Sequence, residues 1–230
     1  MFQGKNILRF IFRHLGNLLI LFSILGLLAT FGPVLYFEIQ YRLIQARGIQ
    51  YAVSQAKNSP LGEILRKQSN FGTILLGPKE QILIPKDTEF SILIPKIGAS
   101  ARVFPNVDSS SQDEFLPILQ KGIAHAKGTV FPGMKGNIYL FAHSADNFWN
   151  IGRYNAVFYL LKDLSKNDDV IVFFQNRRYN YKVEELKIVE PSDVSYLVES
   201  QKQDQQTLIL QTCWPPGTTW KRLIIIAKSK

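Results

Sequence analysis

Two short runs of branched apolar residues, Leu208–Leu210 and Leu223–Ala227, flank the tripeptide Pro215-Pro216-Gly217. Each run is too short for a stable helix and rich in side chains that favour extended backbone, so both read as buried strands. The two prolines and the glycine forbid regular structure between them and force a loop. Cys213 therefore stands at the exit of one strand and Arg222 at the entrance of the next. If the strands are neighbours, thiol and guanidinium face each other across one loop. A thiolate is the nucleophilic form of cysteine and nearby positive charge favours it. A guanidinium fork can also hold a developing oxyanion. A buried structural cysteine is the plainer reading of the same residues.

The texture of this segment holds from Phe71 onward, where short apolar runs are cut by Pro, Gly and Asn. Candidate strands are 82–84, 90–94, 101–104, 138–142, 170–174, 179–189, 208–212 and 223–227. Asn176-Arg177-Arg178 has the composition of a hairpin tip. Ser111-Gln112-Asp113-Glu114 is a capping box that opens a short helix through Gln120, closed by Gly122. Many short strands with one or two helical turns predict a mostly β domain, a closed barrel or a sandwich.

Upstream the sequence is of another kind. Residues 15–37 carry no charge, and a helix of that length spans roughly 34 Å, enough for a bilayer core. Lys5, Arg9 and Arg13 precede it with no acidic residue among them, which predicts a cytoplasmic N-terminus and an extracytoplasmic remainder. The run is long for the apolar region of a cleaved signal peptide and lacks a clear small-x-small cleavage site, so an uncleaved, single-pass signal anchor is expected. The expected organisation is a cytoplasmic segment 1–14, a transmembrane anchor 15–37, a stalk or linker 38–70 and a β domain 71–230. The stalk reads as a helical or partly disordered spacer.

The net charge of +9 falls to +6 without those three basic residues. A positive exported domain suits anionic lipid or wall polymer. No concentrated Lys/Arg patch points to nucleic acid. One cysteine excludes an internal disulfide, and the clustered Cys and His spacings of zinc sites are absent. No metal or other cofactor is expected.

Three histidines are available as partners for the thiol. His14 belongs to the membrane flank. His125 lies in a loop after the short helix. His143 ends the apolar strand 138–142, where the chain leaves the sheet, a usual place for chemistry. The residues alone leave both His125 and His143 open, with His143 favoured.

A longer pattern surrounds these residues. Gly122-Ile-Ala-His125-Ala-Lys-Gly-Thr129-Val-Phe-Pro-Gly133-Met-Lys-Gly-Asn137, followed by an apolar strand ending in His143, resembles the sortase pattern G-x-x-H-x-x-G-T-x-x-P-G-x-x-G-N. Phe90 to Ile97 resembles the family's early I-P-K-I strand, and Phe158 to Ile171 its F-x-x-L-x-x-L-x-x-G-D-x-I segment. Leu210-Gln-Thr212-Cys213 with Arg222-Leu223 is similar to the T-L-x-T-C and R-L of sortases. The likeness covers residues 90–227 in order, with two departures. Ile209 stands where the first threonine of T-L-x-T-C is usual, and Asn167 where a glycine is usual.

The resemblance implies an eight-stranded sortase β-barrel with His143, Cys213 and Arg222 as catalytic residues and Thr212 in a supporting, oxyanion role. It implies a cysteine transpeptidase, with hydrolase-type cleavage of an LPXTG-like sorting motif in exported proteins. The acyl group would pass through a thioester to an amine acceptor from a wall precursor or a pilin lysine. His125 would be structural or supporting, and residues 191–206 would correspond to the substrate-recognition loop. Papain-like peptidases place Cys before His and often at a helix start, which this order disfavours. A wall-peptide cysteine transpeptidase would carry an S-x-G-C signature that is missing here. A membrane-anchored, non-catalytic β-domain binding wall or partner protein, with Cys213 inert, is the remaining alternative.

Overall fold

The computed structural model describes residues 3–53, 75, 79–144, 157–201, 205–216 and 218–230. A long helix, α1 (Gln3–Arg47), leads into strand β1 (Gln50–Val53), which pairs in parallel with β2 (Glu80–Leu83). The strands β3 (Phe90–Ile94), β4 (Ala99–Val107), β5 (Ile123–Ala126), β6 (Asn137–Phe141), β7 (Asp169–Phe174), β8 (Arg177–Val189), β9 (Thr207–Trp214) and β10 (Lys221–Ser229) form the second sheet. It closes on itself in the order β10-β8-β7-β3-β4-β5-β6-β9, an eight-stranded barrel. Two short helices, α2 (Gln112–Leu119) and α3 (Ser195–Gln201), lie outside the wall. The barrel expected from the sequence is thus the one observed.

Alternation along each strand builds the interior. Ile92, Ile94, Ile138, Leu140, Val170, Val172, Leu208, Leu210 and Ile225 point inward with Phe158 and Tyr181, and form one cluster. The intervening residues point outward and are covered twice. On the β7–β3 arc, Leu93, Ile171 and Phe173 lie under the β1–β2 ribbon through Leu83, Tyr51 and Val53. On the β6–β9–β10 arc, Tyr139, Phe141, Ile209, Ile224 and Ile226 lie under Phe115 and Ile118 of α2 and Tyr196 and Leu197 of α3. Covering both faces explains why β3 and β6 are apolar at successive positions, apart from Ser91 and Asn137: every residue in them is buried.

Several local expectations change in detail. Gln175 and Asn176, both at positive φ, make the two-residue turn between β7 and β8, so the hairpin tip sits one residue earlier than its composition suggested. Ser111 does cap α2, but its side chain makes no capping hydrogen bond; Glu114 accepts instead from the Asp108 N–H at 2.9 Å. Residues 123–126, read as a loop, are a strand between β4 and β6. Gly122 at its entry leaves no room for a side chain: a Cβ would lie 2.5 Å from the Arg102 carbonyl oxygen.

The start of the expected stalk is not a bare spacer. Tyr41 of α1 is buried in the barrel cluster with Phe158 and Leu161. Glu38 accepts from Lys162 Nζ at 3.0 Å and pairs with Arg42 at 2.9 Å. Residues 54–70 of the stalk lie outside the described residues. So do the side chains of 29–31, 33, 34 and 37 in the expected transmembrane segment. Among the described residues no helix is long and apolar enough to cross a membrane.

Both departures from the family pattern fit their places. Ile209 is fully buried on the outer face against Tyr139 and Tyr196, where a β-branched residue packs without needing a polar partner. Asn167 has φ 73°, the left-handed region in which glycine is free and asparagine is the best-tolerated alternative. Asn167→Gly is expected to leave stability nearly unchanged, whereas Asn167→Val, β-branched at positive φ, should cost about 1–2 kcal/mol. Denaturant unfolding of the two variants checks this.

Candidate active site

Strand β9 carries Cys213 and strand β10 carries Arg222, and the two are direct partners in the antiparallel ladder. Residues so paired share a face, with Cβ atoms about 4.5–5.5 Å apart. Each strand runs two residues further toward the loop than the sequence suggested, through Trp214 and from Lys221, so thiol and guanidinium face each other within the ladder instead of across its open end. Thr218 closes the connecting turn, its N–H donating to the Pro215 carbonyl at 3.0 Å and its hydroxyl at 2.8 Å. Arg222 Nη1 donates to the Thr219 carbonyl at 3.0 Å and the Lys221 carbonyl at 3.1 Å, which holds one arm of the fork against its own loop.

His143 reaches this face from the other side of β9. The parallel β6–β9 ladder ends on the pair Phe141–Gln211. Two more steps in the same register lead to Ala142 beside Thr212 and His143 beside Cys213. Two bonds keep the chains together there: the Ala142 N–H donates to the Gln211 carbonyl at 3.2 Å, and the Thr212 hydroxyl to the Ala142 carbonyl at 3.0 Å. Side-chain parity agrees. Tyr139 and Phe141 of β6, Ile209 of β9, and Ile224 of β10 all point outward, and His143, Cys213 and Arg222 continue those three rows. All three are half-buried.

Thr212 belongs to the opposite row and is buried. Its hydroxyl ties the strand of the thiol to the backbone just before His143.

His125 is placed where it cannot join them. It pairs with Leu140 on β6, points inward and is fully buried. Nδ1 accepts the Asn106 N–H at 3.3 Å, which leaves the proton on Nε2, 3.1 Å from the Val130 carbonyl and 3.0 Å from the Thr129 hydroxyl. The ring stacks on Phe131 at 4.6 Å. Burial pushes its pKa below the ordinary histidine value, only partly opposed by the bond to Val130. The structural reading of His125 therefore holds.

Sequence reasoning missed a polar cluster beside the trio. The Tyr139 hydroxyl lies 3.0 Å from that of Tyr196 and also donates to Gln211 Oε1. Tyr139 and Gln211 sit in the rows of His143 and Cys213, so strand parity could have found them. Tyr196 comes from α3, and nothing local in the sequence marks it. The 530 Å³ hollow lined by Lys86, Asp87, Glu89, Arg102 and Lys121 contains none of these residues. Among the described residues no group of His, Cys, Asp or Glu could hold a metal ion.

The closed barrel thus pairs a cysteine with an arginine on its outer wall, with a histidine at the adjoining strand end. The sortase domain model matches residues 92–230. The chain belongs to the sortase family, a family of cysteine transpeptidases. It is 30% identical over 127 residues to sortase D of Bacillus subtilis strain 168, a match covering 54% of this chain and 56% of that protein. The chain thus spans about half the length of that curated relative. Among solved structures, the lid mutant of sortase A from Corynebacterium diphtheriae superposes with a TM-score of 0.52 at 18% identity, covering 85% of this chain and 94% of that one. Clostridium perfringens sortase C, solved with the C-terminal cell wall sorting motif, gives 0.50 at 24% identity, covering 61% and 69%. At these identities the two structures speak for the fold.

The environment of His125 has a measurable consequence. A histidine whose folded pKa lies below its unfolded value of about 6.5 stabilises the fold above that value and less as pH falls, because the unfolded chain takes up the proton first. The His125 ring protons should show no titration near pH 6.5 by NMR, and unfolding free energy should begin to fall below that pH. An imidazole titrating at its ordinary pKa would contradict the buried, neutral assignment.

Proposed function

We propose that this chain is a membrane-anchored cysteine transpeptidase. It cleaves an LPXTG-like sorting motif of exported proteins and transfers the acyl group to an amine from a wall precursor or a pilin lysine. The observation that carries the reading is the register pairing of Cys213 with Arg222, with His143 on the same face at the end of β6.

Cys213 Sγ, as thiolate, attacks the carbonyl carbon of the motif threonine, and the carbonyl electrons move onto oxygen. The Arg222 fork and backbone amides stabilise that oxyanion. Collapse breaks the C–N bond while His143 delivers a proton to the departing glycine amine, leaving a thioester. The acceptor amine gives a proton to His143 and attacks the thioester carbonyl. The C–S bond breaks, and Cys213 returns as thiolate. Thr212 keeps the two strands in register by its bond to the Ala142 carbonyl.

The anchor rests on α1. Leu18, Leu19, Ile20, Leu21 and Phe22 are 54–75% exposed at successive positions, so apolar side chains surround this part of the helix. A helix apolar all round suits lipid. The uncharged segment 15–37 would span the bilayer with the basic residues before it in the cytoplasm and the barrel outside.

Full-length protein in detergent, given a fluorogenic LPXTG peptide with and without an amine acceptor, is the test. The wild type should cleave the peptide and join the acceptor to it; Cys213→Ala should do neither. Arg222→Lys should lose roughly a hundredfold or more in kcat, because an ammonium cannot reproduce the planar fork. No cleavage by the wild type, or undiminished cleavage by Cys213→Ala, would defeat the assignment. Wild-type turnover by Arg222→Lys would remove that residue from the mechanism.

A further inference from the structure

Residues 191–201, the first part of segment 191–206, are fastened to the active-site face at two points. Asn137 Nδ2 donates to the Leu197 carbonyl at 3.0 Å, at the foot of β6. One pleat further along the same strand, the Tyr139 hydroxyl meets that of Tyr196. The direction of the hydrogens follows from the acceptor at the end. Gln211 Oε1 can only accept, so Tyr139 donates to it and Tyr196 donates to Tyr139. The result is a chain of hydroxyls from α3, through β6, to β9, ending two residues before Cys213 and in the same row.

The surroundings make this chain costly to break. Tyr196 and Tyr139 are 3% and 9% exposed, and their rings stack at 6.5 Å with 17° between planes. Gln211 is the cross-strand partner of Ile224 and so lies diagonal to Arg222, within reach of a long side chain. The positive charge of Arg222 is felt by both phenols, although burial dominates and raises the pKa of each. Helix α3, outside the barrel wall, is thereby linked to the strand of the nucleophile.

We propose that Tyr196 and Tyr139 are positioning residues for the peptide donor: their hydroxyl chain to Gln211 holds residues 191–201 in their binding geometry beside Cys213, and it acts on donor binding, not on the thiol. The proposal rests on the transpeptidase reading for its kinetic consequence, while its structural half stands on the hydrogen bonds alone. If one chain is at work, breaking it at either end does the same damage. Tyr196→Phe and Tyr139→Phe should each raise KM for the sorting peptide about five- to tenfold, the worth of one net hydrogen bond, with kcat within about twofold. The double variant should resemble either single one, since both remove the same link.

The experiment measures peptide kinetics, alkylation of Cys213 by iodoacetamide and limited proteolysis of residues 191–201, all on the full-length chain. Faster proteolysis in Tyr196→Phe, unchanged alkylation and a KM effect that does not add in the double variant support the proposal. Additive KM effects, a fall in kcat at constant KM, or unchanged proteolysis each overturn it. If the wild type cleaves no peptide, the transpeptidase reading fails by itself; unequal proteolysis of wild type and Tyr196→Phe then upholds the fastening role, and equal proteolysis ends it.

Discussion

A closed β wall can show each residue to only one side, and the candidate active site depends on that constraint. Inward positions are claimed by the central cluster, which includes Ile138, Leu140, Leu208, Leu210 and Ile225, none with measurable exposure. Each such side chain is worth about 1.5–3 kcal/mol in burial. A one-residue slip of β9 would turn its apolar row outward, a loss on the order of 10 kcal/mol over the strands it pairs with. The Thr212–Ala142 hydrogen bond is worth about 1 kcal/mol by comparison. The core therefore sets the register, and the register sets Cys213 opposite Arg222. The polar contacts at the site tune a geometry they are too weak to create.

The same constraint creates a need for cover. Outward rows on β6, β9 and β10 are apolar for most of their length, through Tyr139, Phe141, Ile209, Ile224 and Ile226, and α2 and α3 shield them. Cover gives way to half-exposure where the rows reach His143, Cys213 and Arg222. A nucleophile needs access to a peptide, and an oxyanion holder needs limited competition from water. The boundary between covered wall and open wall supplies both, and α3 stands at that boundary with Tyr196 turned inward.

Much of this was legible in the sequence because period-two patterns with Pro, Gly and Asn breaks survive without tertiary knowledge. Strand 90–94 is legible to the residue, since both its faces are covered and four of its five residues are apolar. Strand β5 was not, because Ile-Ala-His-Ala has neither length nor alternation; its partners on either side make it a strand. Strand β1 was lost for a similar reason, as it pairs in parallel with residues that follow after a long excursion. Cys213 and Arg222 could be brought together by hairpin logic. His143 could be joined to them only through the family pattern, because a parallel partner of β9 cannot be told from sequence spacing. The Tyr139–Tyr196 contact, between residues 57 apart, left no local trace.

The two histidines of the family pattern show how far parity reaches. His125 and His143 lie on or just beyond adjacent strands of one wall, and composition treats them alike. His125 falls in the row of Leu140, among Phe90, Phe131 and Phe174, where its ring has a backbone donor on one nitrogen and a carbonyl on the other. An imidazole fixed that way is a neutral strut between β4, β5 and the turn at Val130. His143 continues the opposite row, the one that Cys213 and Arg222 share. For His125 to face the thiol, β5 would have to shift by one residue. That would expel Ile123 from the interior and drive Ala124 and Ala126 into a space shaped for larger side chains. The packing of the barrel thus separates a structural histidine from a candidate catalytic one without reference to their chemistry.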